Sequence, residues 1–142
     1  MRIQLENFTK TFGDTNVIED MSLDIASGEM LALLGPSGCG KSTTLFAICG
    51  IHKMDGGRLF FGDRDVTGVP SQNRNVGVVF QNYALYPHMT IFDNIAFPLR
   101  IRKMARPDVD RKVREIADLV HIPELLERKP MQLSGGQQQR VA

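Results

Sequence analysis

Residues 35–43 read Gly35, Pro36, Ser37, Gly38, Cys39, Gly40, Lys41, Ser42 and Thr43, a glycine-rich turn closed by a lysine and two hydroxyls. Glycines at this spacing let successive backbone N–H groups converge into a concave nest at the start of a helix, where free donors and the helix dipole favour an anion. In such a G-x-x-x-x-G-K-[S/T] pattern Lys41 adds a point charge for the β- and γ-phosphates of a nucleotide, and Ser42 offers its hydroxyl to magnesium. A turn of this composition can also do no more than join a strand to a helix. The flanking residues argue for the anion. Met30–Leu34 is a continuous apolar run, which predicts a parallel strand covered on both faces, and from Lys41 the pattern turns helical, with Leu45, Ile48 and Cys49 on one side and Gly50 as its stop.

Ninety-odd residues later Leu133, Ser134, Gly135, Gly136 and Gln137 form a second glycine-bearing turn. Ser134 and Gln137 fit the S-x-x-Q spacing of an ordinary helix capping box, and alone that reading would prevail. In a chain that also carries a phosphate loop, a helix start with two glycines exposes unshielded N–H groups to a γ-phosphate. Each charge-assisted bond of that kind contributes roughly 1.5–3 kcal/mol.

The elements that must position these turns are legible in outline. Arg2–Phe8 and Met21–Ile25 read as strands, with a turn at Ser27-Gly28; Arg58–Phe61 and Val76–Phe80 read as short strands around a loop holding Asp63, Asp65 and Pro70. Gln81 closes the last of them. Thr90 followed by Asp93 predicts a capped helix that Pro98 curtails, and Pro107 predicts a second helix with Val109, Val113, Ile116, Ala117 and Val120 in one apolar stripe. The expected organisation is a nucleotide-binding core over 1–87, with an antiparallel β part and the phosphate loop, a helical subdomain over 88–132, and the second turn with the start of its helix over 133–142.

Composition bounds the rest. A chain of 142 residues with 42% apolar content suits an α/β domain, and seventeen basic against sixteen acidic residues leave a net charge of +1, without a basic stripe for nucleic acid. Cys39 and Cys49 lie ten apart, one inside the phosphate loop, where a disulfide would distort the backbone; a reduced, cytosolic setting is expected. No apolar run approaches the roughly 18–20 residues that span a bilayer, so membrane association is expected through a partner. His52, His88 and His121 show no metal-ligand spacing, the seven methionines form no stripe, and neither set is assigned chemistry.

A phosphate loop followed by LSGGQ resembles the ATP-binding subunit of ABC transporters, and the likeness runs over all 142 residues. The resemblance implies an α/β P-loop NTPase fold of the ABC type with an inserted helical subdomain, and ATP and Mg2+ as ligands. It implies a head-to-tail pair of nucleotide-binding subunits in which Ser134, Gly135, Gly136 and Gln137 act in trans on the partner's ATP. Phe12, in TFGDTNV, matches the aromatic that stacks on adenine, with Val17 nearby; the usual residue is Tyr. Stacking contributes roughly 1–3 kcal/mol, less than several phosphate contacts, so weak discrimination among purine triphosphates is expected. By residue type alone Phe12 also suits a strand core. Gln81 matches the glutamine that reaches magnesium and the attacking water, where a neutral amide that donates and accepts suits a sensor better than a base. Lys41 and Gln81 are thus the catalytic candidates, and Ser42 and Gln81 the metal ligands.

The segment Gln81–Leu99 resembles carbohydrate importers in particular, in which this surface receives the membrane subunit. Tyr83, Leu85, Tyr86, Met89 and Phe92 are the corresponding candidates here. The implied partners are a second nucleotide-binding subunit, integral permease subunits and, indirectly, a solute-binding protein, with no nucleic acid, at the cytoplasmic face of the membrane. Polyamine, iron, sulfate or betaine uptake, or a soluble ABC-type ATPase acting on DNA or ribosomes, are the alternatives; the latter predicts a tandem cassette or a coiled-coil insertion. A P-loop kinase would leave LSGGQ without a purpose. Family members continue past the signature to a strand ending in Asp-Glu and a loop histidine. With the general base outside these 142 residues, the expectation is an incomplete core that is destabilised and does not hydrolyse ATP efficiently by itself.

Overall fold

The first strand changes face part-way along. In the computed structural model, which describes all 142 residues, β1 (Ile3–Phe12) buries Leu5, then Phe8 and Lys10, so the parity of inward residues switches between Leu5 and Phe8. The switch is a bulge at Asn7, whose φ of 51° takes up the extra residue; its N–H donates to Ser22 Oγ at 3.0 Å and its side-chain amide to Asp20 Oδ1 at 2.6 Å. Strict alternation would have buried Asn7 and exposed Phe8.

The chain forms two compact units, residues 1–78 and 79–142. In the first, β1, β2 (Thr15–Ile25), β3 (Gly56–Phe61) and β4 (Arg64–Asp65) make one antiparallel sheet in the order β2-β1-β3-β4, with Leu5 opposite both Leu23 and Leu59. Phe12 pairs with Thr15 around the two-residue turn Gly13-Asp14. Helix α1 (Lys41–Ile48) adds Ala47 and Ile48 to a core of Leu5, Phe8, Ile18, Leu59, Phe61 and Val66.

Three expectations for residues up to Phe80 are corrected. Met30–Leu34 is not a strand: no strand of the sheet adjoins it, and Met30 and Leu34 are 96% and 91% exposed. A fully apolar strand requires neighbours on both edges and cover on both faces, and here it has neither. Val76–Phe80 likewise forms no ladder, and Val79 is exposed. On α1 the buried side is Thr44, Ala47 and Ile48, while Leu45 is 51% exposed and Cys49 half-buried, a rotation of the inward face away from Leu45. Gly50 does end the helix, with φ 77° just beyond the cap and its N–H donating to the Ala47 carbonyl at 3.1 Å.

The second unit is helical. Helix α2 (Ile91–Ile101) starts at Thr90, whose hydroxyl accepts the Asp93 N–H at 3.1 Å, as its sequence predicts. The N–H groups of Ile91 and Phe92, which have no acceptor within the helix, donate to the carbonyls of Arg128 and Leu126 at 2.8 and 2.9 Å. Pro98 does not stop α2, which runs on to Ile101; a proline removes one main-chain donor, and packing of Ile91, Ala96 and Leu99 on the core holds the remainder. Helix α3 (Arg106–Leu119) buries Val109, Val113 and Ala117, as expected, while Ile116 stays 47% exposed at the edge of the stripe. Ile122, Leu125, Leu126 and Leu133 complete this core, and Val141 of α4 (Gly135–Val141) packs against it.

Candidate nucleotide-binding site

At the start of α1 the loop takes the shape that its glycines permit. Gly40 is the N-cap in left-handed conformation, φ 92°, and a Cβ there would stand 2.9 Å from Ile18 Cγ1, so any larger residue meets both backbone strain and the sheet. No side chain caps this helix end, which leaves the first-turn N–H groups to an external acceptor. The Lys41 ammonium turns back over the loop and donates to the carbonyls of Gly35 at 2.8 Å and Pro36 at 2.6 Å, with Cys39 Sγ at 3.4 Å. Ser42 is exposed and Thr43 half-buried, whereas Thr44 is buried with its hydroxyl donating to the Gly40 carbonyl at 3.0 Å. A hollow of about 230 Å3 beside the loop is lined by Val17, Ile18, Met21, Leu33, Leu34, Cys39, Gly40, Lys41 and Thr44. Ser37 and Gly38 complete the turn and are exposed.

The donor set fits a polyphosphate: a helix start with free N–H groups, an ammonium and a hydroxyl, and no carboxylate lining the hollow. Ser42, exposed in the first turn of α1, carries a hydroxyl oxygen of the kind that ligates magnesium. Cys39 and Cys49 are free thiols, and burial pushes Cys49 above its ordinary value.

Phe12 is 44% exposed at the end of β1 and is not a strand-core residue. It is tied to α1 through a residue without an assigned role. The Phe12 and His52 rings lie 5.3 Å apart at 75°, and His52 and Phe46 5.4 Å apart at 73°. Lys10 Nζ lies 5.1 Å from the Phe12 centroid and is held by Asp55 through bonds of 3.0 and 2.9 Å. Asp55 also accepts the Thr11 N–H at 2.8 Å, and this bond, then Lys10, holds its carboxyl below the usual carboxylate range. Lys10 on β1 stands more than forty positions from His52 and Asp55, which precede β3, and periodicity does not reveal contacts across that separation.

A second unforeseen residue is Arg74, 6% exposed. Its guanidinium donates to the carbonyls of Ala47 (2.7 Å) and Ile48 (2.9 Å) at the end of α1, and of Val69 (2.7 Å) and Thr67 (3.2 Å) in the loop after β4. No carboxylate pairs with it, and desolvation lowers its pKa from the ordinary arginine value. A fixed cation at the negative end of α1 complements the helix dipole.

The remaining candidates lie in the second unit. Gln81 is exposed and stands in a turn, not at a strand end. The segment after it is held by Asn94, whose amide donates to the Tyr86 and Thr90 carbonyls at 3.2 and 2.8 Å and accepts the Tyr86 N–H at 2.8 Å. Tyr86 is exposed and rests on Phe97 at 4.7 Å, while Tyr83, Leu85, Met89 and Phe92 are half-buried. At α4 both halves of the capping box form: Ser134 Oγ accepts the Gln137 N–H at 3.3 Å, and Gln137 Oε1 accepts the Ser134 N–H at 2.9 Å. The N–H groups of Gly135 and Gly136 remain in the first turn, exposed and without Cβ shielding.

A family model described as ABC transporter matches residues 18–142. The chain belongs to the ABC transporter family. Among curated relatives it is 53% identical over 144 residues to the sulfate/thiosulfate import ATP-binding protein CysA 2 of Agrobacterium fabrum, covering 100% of this chain and 42% of that protein. It is 49% identical over 146 residues to the trehalose/maltose import ATP-binding protein MalK of Thermococcus litoralis, covering 99% and 39%. Identity to the spermidine/putrescine import ATP-binding protein PotA of Aggregatibacter actinomycetemcomitans is 47% over 140 residues, covering 99% and 38%. The chain therefore spans about two fifths of the length of these relatives. Among solved structures, the dimeric post-hydrolysis state of the ATP-binding cassette MJ0796 bound to ADP and Pi superposes with a TM-score of 0.86 at 30% identity, covering 98% of this chain and 66% of that one. The fold is thus the P-loop fold of ABC cassettes. The relatives' names span sugar, sulfate and polyamine import, so they do not single out the carbohydrate type that Gln81–Leu99 resembles.

Proposed function

We propose that this chain forms the ATP-binding part of an ABC importer subunit, gripping the triphosphate of MgATP at the start of α1. The observation that carries the reading is the uncapped N-terminus of α1, with the Lys41 ammonium and the Ser42 hydroxyl beside it. The N–H groups around Gly38 to Ser42 and the Lys41 charge hold the β- and γ-phosphates; Lys41 exchanges its carbonyl partners for phosphate oxygens. Ser42 ligates magnesium, which when bound neutralises phosphate charge. Phe12 stacks on the base with Val17 beside it, and Gln81 senses the metal and the attacking water.

In the same reading, Ser134, Gly135, Gly136 and Gln137 close on the ATP of a second subunit in a head-to-tail dimer. The dimeric MJ0796 structures among the neighbours support the pairing of two such subunits. Tyr83, Leu85, Tyr86, Met89 and Phe92 face integral permease subunits, and a solute-binding protein delivers cargo to those. No helix is long and apolar enough to cross a membrane, in keeping with peripheral attachment at the cytoplasmic face. The solute is a sugar or sugar derivative, a reading that rests on the segment Gln81–Leu99.

Titration calorimetry of the full chain with MgATP tests the core of the proposal. Binding is expected, and Lys41→Met weakens it about tenfold to a hundredfold, the equivalent of one charge-assisted contact. Absence of heat in the unmodified protein would overturn it. Uptake assays with the permease partners decide the solute.

A further inference from the structure

We propose that His52 is a positioning residue for the nucleotide base, holding the Phe12 ring in the plane on which a purine stacks; this rests on reading Phe12 as the base platform. A phenylalanine on a strand end retains two rotatable side-chain torsions, and a platform free to swing loses part of its stacking contribution to the cost of ordering the ring. Here the ring is not free. The His52 ring meets it at 5.3 Å and 75°, and the Lys10 ammonium lies 5.1 Å from its centroid. Both contacts come from the protein side, since Lys10 is buried and His52 half-buried, while 44% of Phe12 stays open to solvent.

His52 is itself fixed twice, its backbone by the main-chain N–H donating to the Phe46 carbonyl at 3.1 Å and its ring by packing against the Phe46 ring at 5.4 Å. Phe46 belongs to α1, the helix whose first turn carries Lys41. The base platform and the phosphate grip are therefore referenced to one rigid helix, with His52 as the link. Its function requires an aromatic edge and not a proton, so phenylalanine serves in its place, whereas an aliphatic residue of similar bulk fills the space without the edge-to-face attraction.

The test compares ATP with inorganic tripolyphosphate, which has the phosphates and no base, in magnesium-containing titrations of the full chain. His52→Leu weakens ATP about three- to tenfold, the range of the cost of ordering one side chain, and leaves tripolyphosphate unchanged. His52→Phe restores ATP affinity to within about twofold of the unmodified chain. Equal weakening of both ligands in His52→Leu, or no weakening of ATP, overturns the proposal, as does failure of His52→Phe to restore affinity. Phe12→Ala separates this from the reading beneath it: unchanged ATP affinity there removes Phe12 as the platform, whereas a loss there with none in His52→Leu removes only the role of His52.

Discussion

Replacing Arg74 with methionine tests whether a cation without a carboxylate partner holds α1 in place. The substitution keeps most of the apolar stem and deletes four donor bonds. The Ala47 carbonyl retains the Gly50 N–H at 3.1 Å, but the carbonyls of Ile48, Val69 and Thr67 lose the guanidinium donor. A buried acceptor left unpaired costs about 1–3 kcal/mol. Two effects reduce the sum: the neighbouring Pro70 and Ser71 are exposed, so water reaches part of this loop, and the desolvation cost of the guanidinium is recovered when it is removed. The net loss is about 2–4 kcal/mol, a large share of a domain's stability of roughly 5–15 kcal/mol. At a urea m-value of about 2 kcal/mol/M the midpoint falls by about 1–2 M. Arg111→Met serves as the control, because Arg111 is exposed and its pair with Asp108 at 2.7 Å is a surface one contributing less than about 1 kcal/mol. Equal midpoints for the two variants would show that the Arg74 bonds are incidental.

Gly40→Ala is expected to destabilise by about 1–3 kcal/mol through its left-handed backbone, with a further loss from the contact with Ile18, and to weaken ATP binding; a titration and a urea melt both matching the unmodified chain would refute this. Thr90→Ala removes the cap of α2 and lowers stability by about 1 kcal/mol, measured as a shift in urea midpoint that Thr90→Ser restores. Asp55, whose carboxyl is held below its ordinary value by Thr11 N–H and Lys10, contributes stability that is intact above the ordinary carboxylate pKa near ~4 and lost as pH falls below it. Acid titration followed by circular dichroism should show that Asp55→Asn removes part of this acid-side slope, and identical slopes would discount the pair.

Signals that are local in cause are legible in the sequence. The glycine turn before Lys41, the Thr90 cap, the Ser134–Gln137 box and the stop at Gly50 are each decided within one short stretch of chain, and each forms. Two failures concern strands. Met30–Leu34 and Val76–Phe80 have the composition of buried strands, but a strand exists only with a neighbour, and composition does not supply one. Spacing from Ile48 places Leu45 inward, whereas α1 buries Thr44, Ala47 and Ile48 and joins the sheet's core through Ala47 and Ile48; periodicity gives a face and not its bearing. The roles of His52 and Arg74 are hidden from the sequence for a common reason. Phe12, which His52 meets, and the Ala47 and Ile48 carbonyls, which Arg74 meets, lie on other elements, and contacts with ring edges and main-chain carbonyls leave no trace in residue spacing.

The seven-residue helix α4 owes its order to its neighbours. An isolated helix of that length does not persist in water. Gln138 donates to the Pro130 and Leu133 carbonyls at 3.0 and 3.2 Å, and Arg140 to those of Val120 and His121 at 3.3 and 3.0 Å, so the helix is braced by side chains beyond its first turn, which leave Gly135 and Gly136 exposed. A synthetic peptide copied from 133–142 would keep every atom of the LSGGQ motif and still present no fixed array of amides, making it a poor decoy for the intact surface.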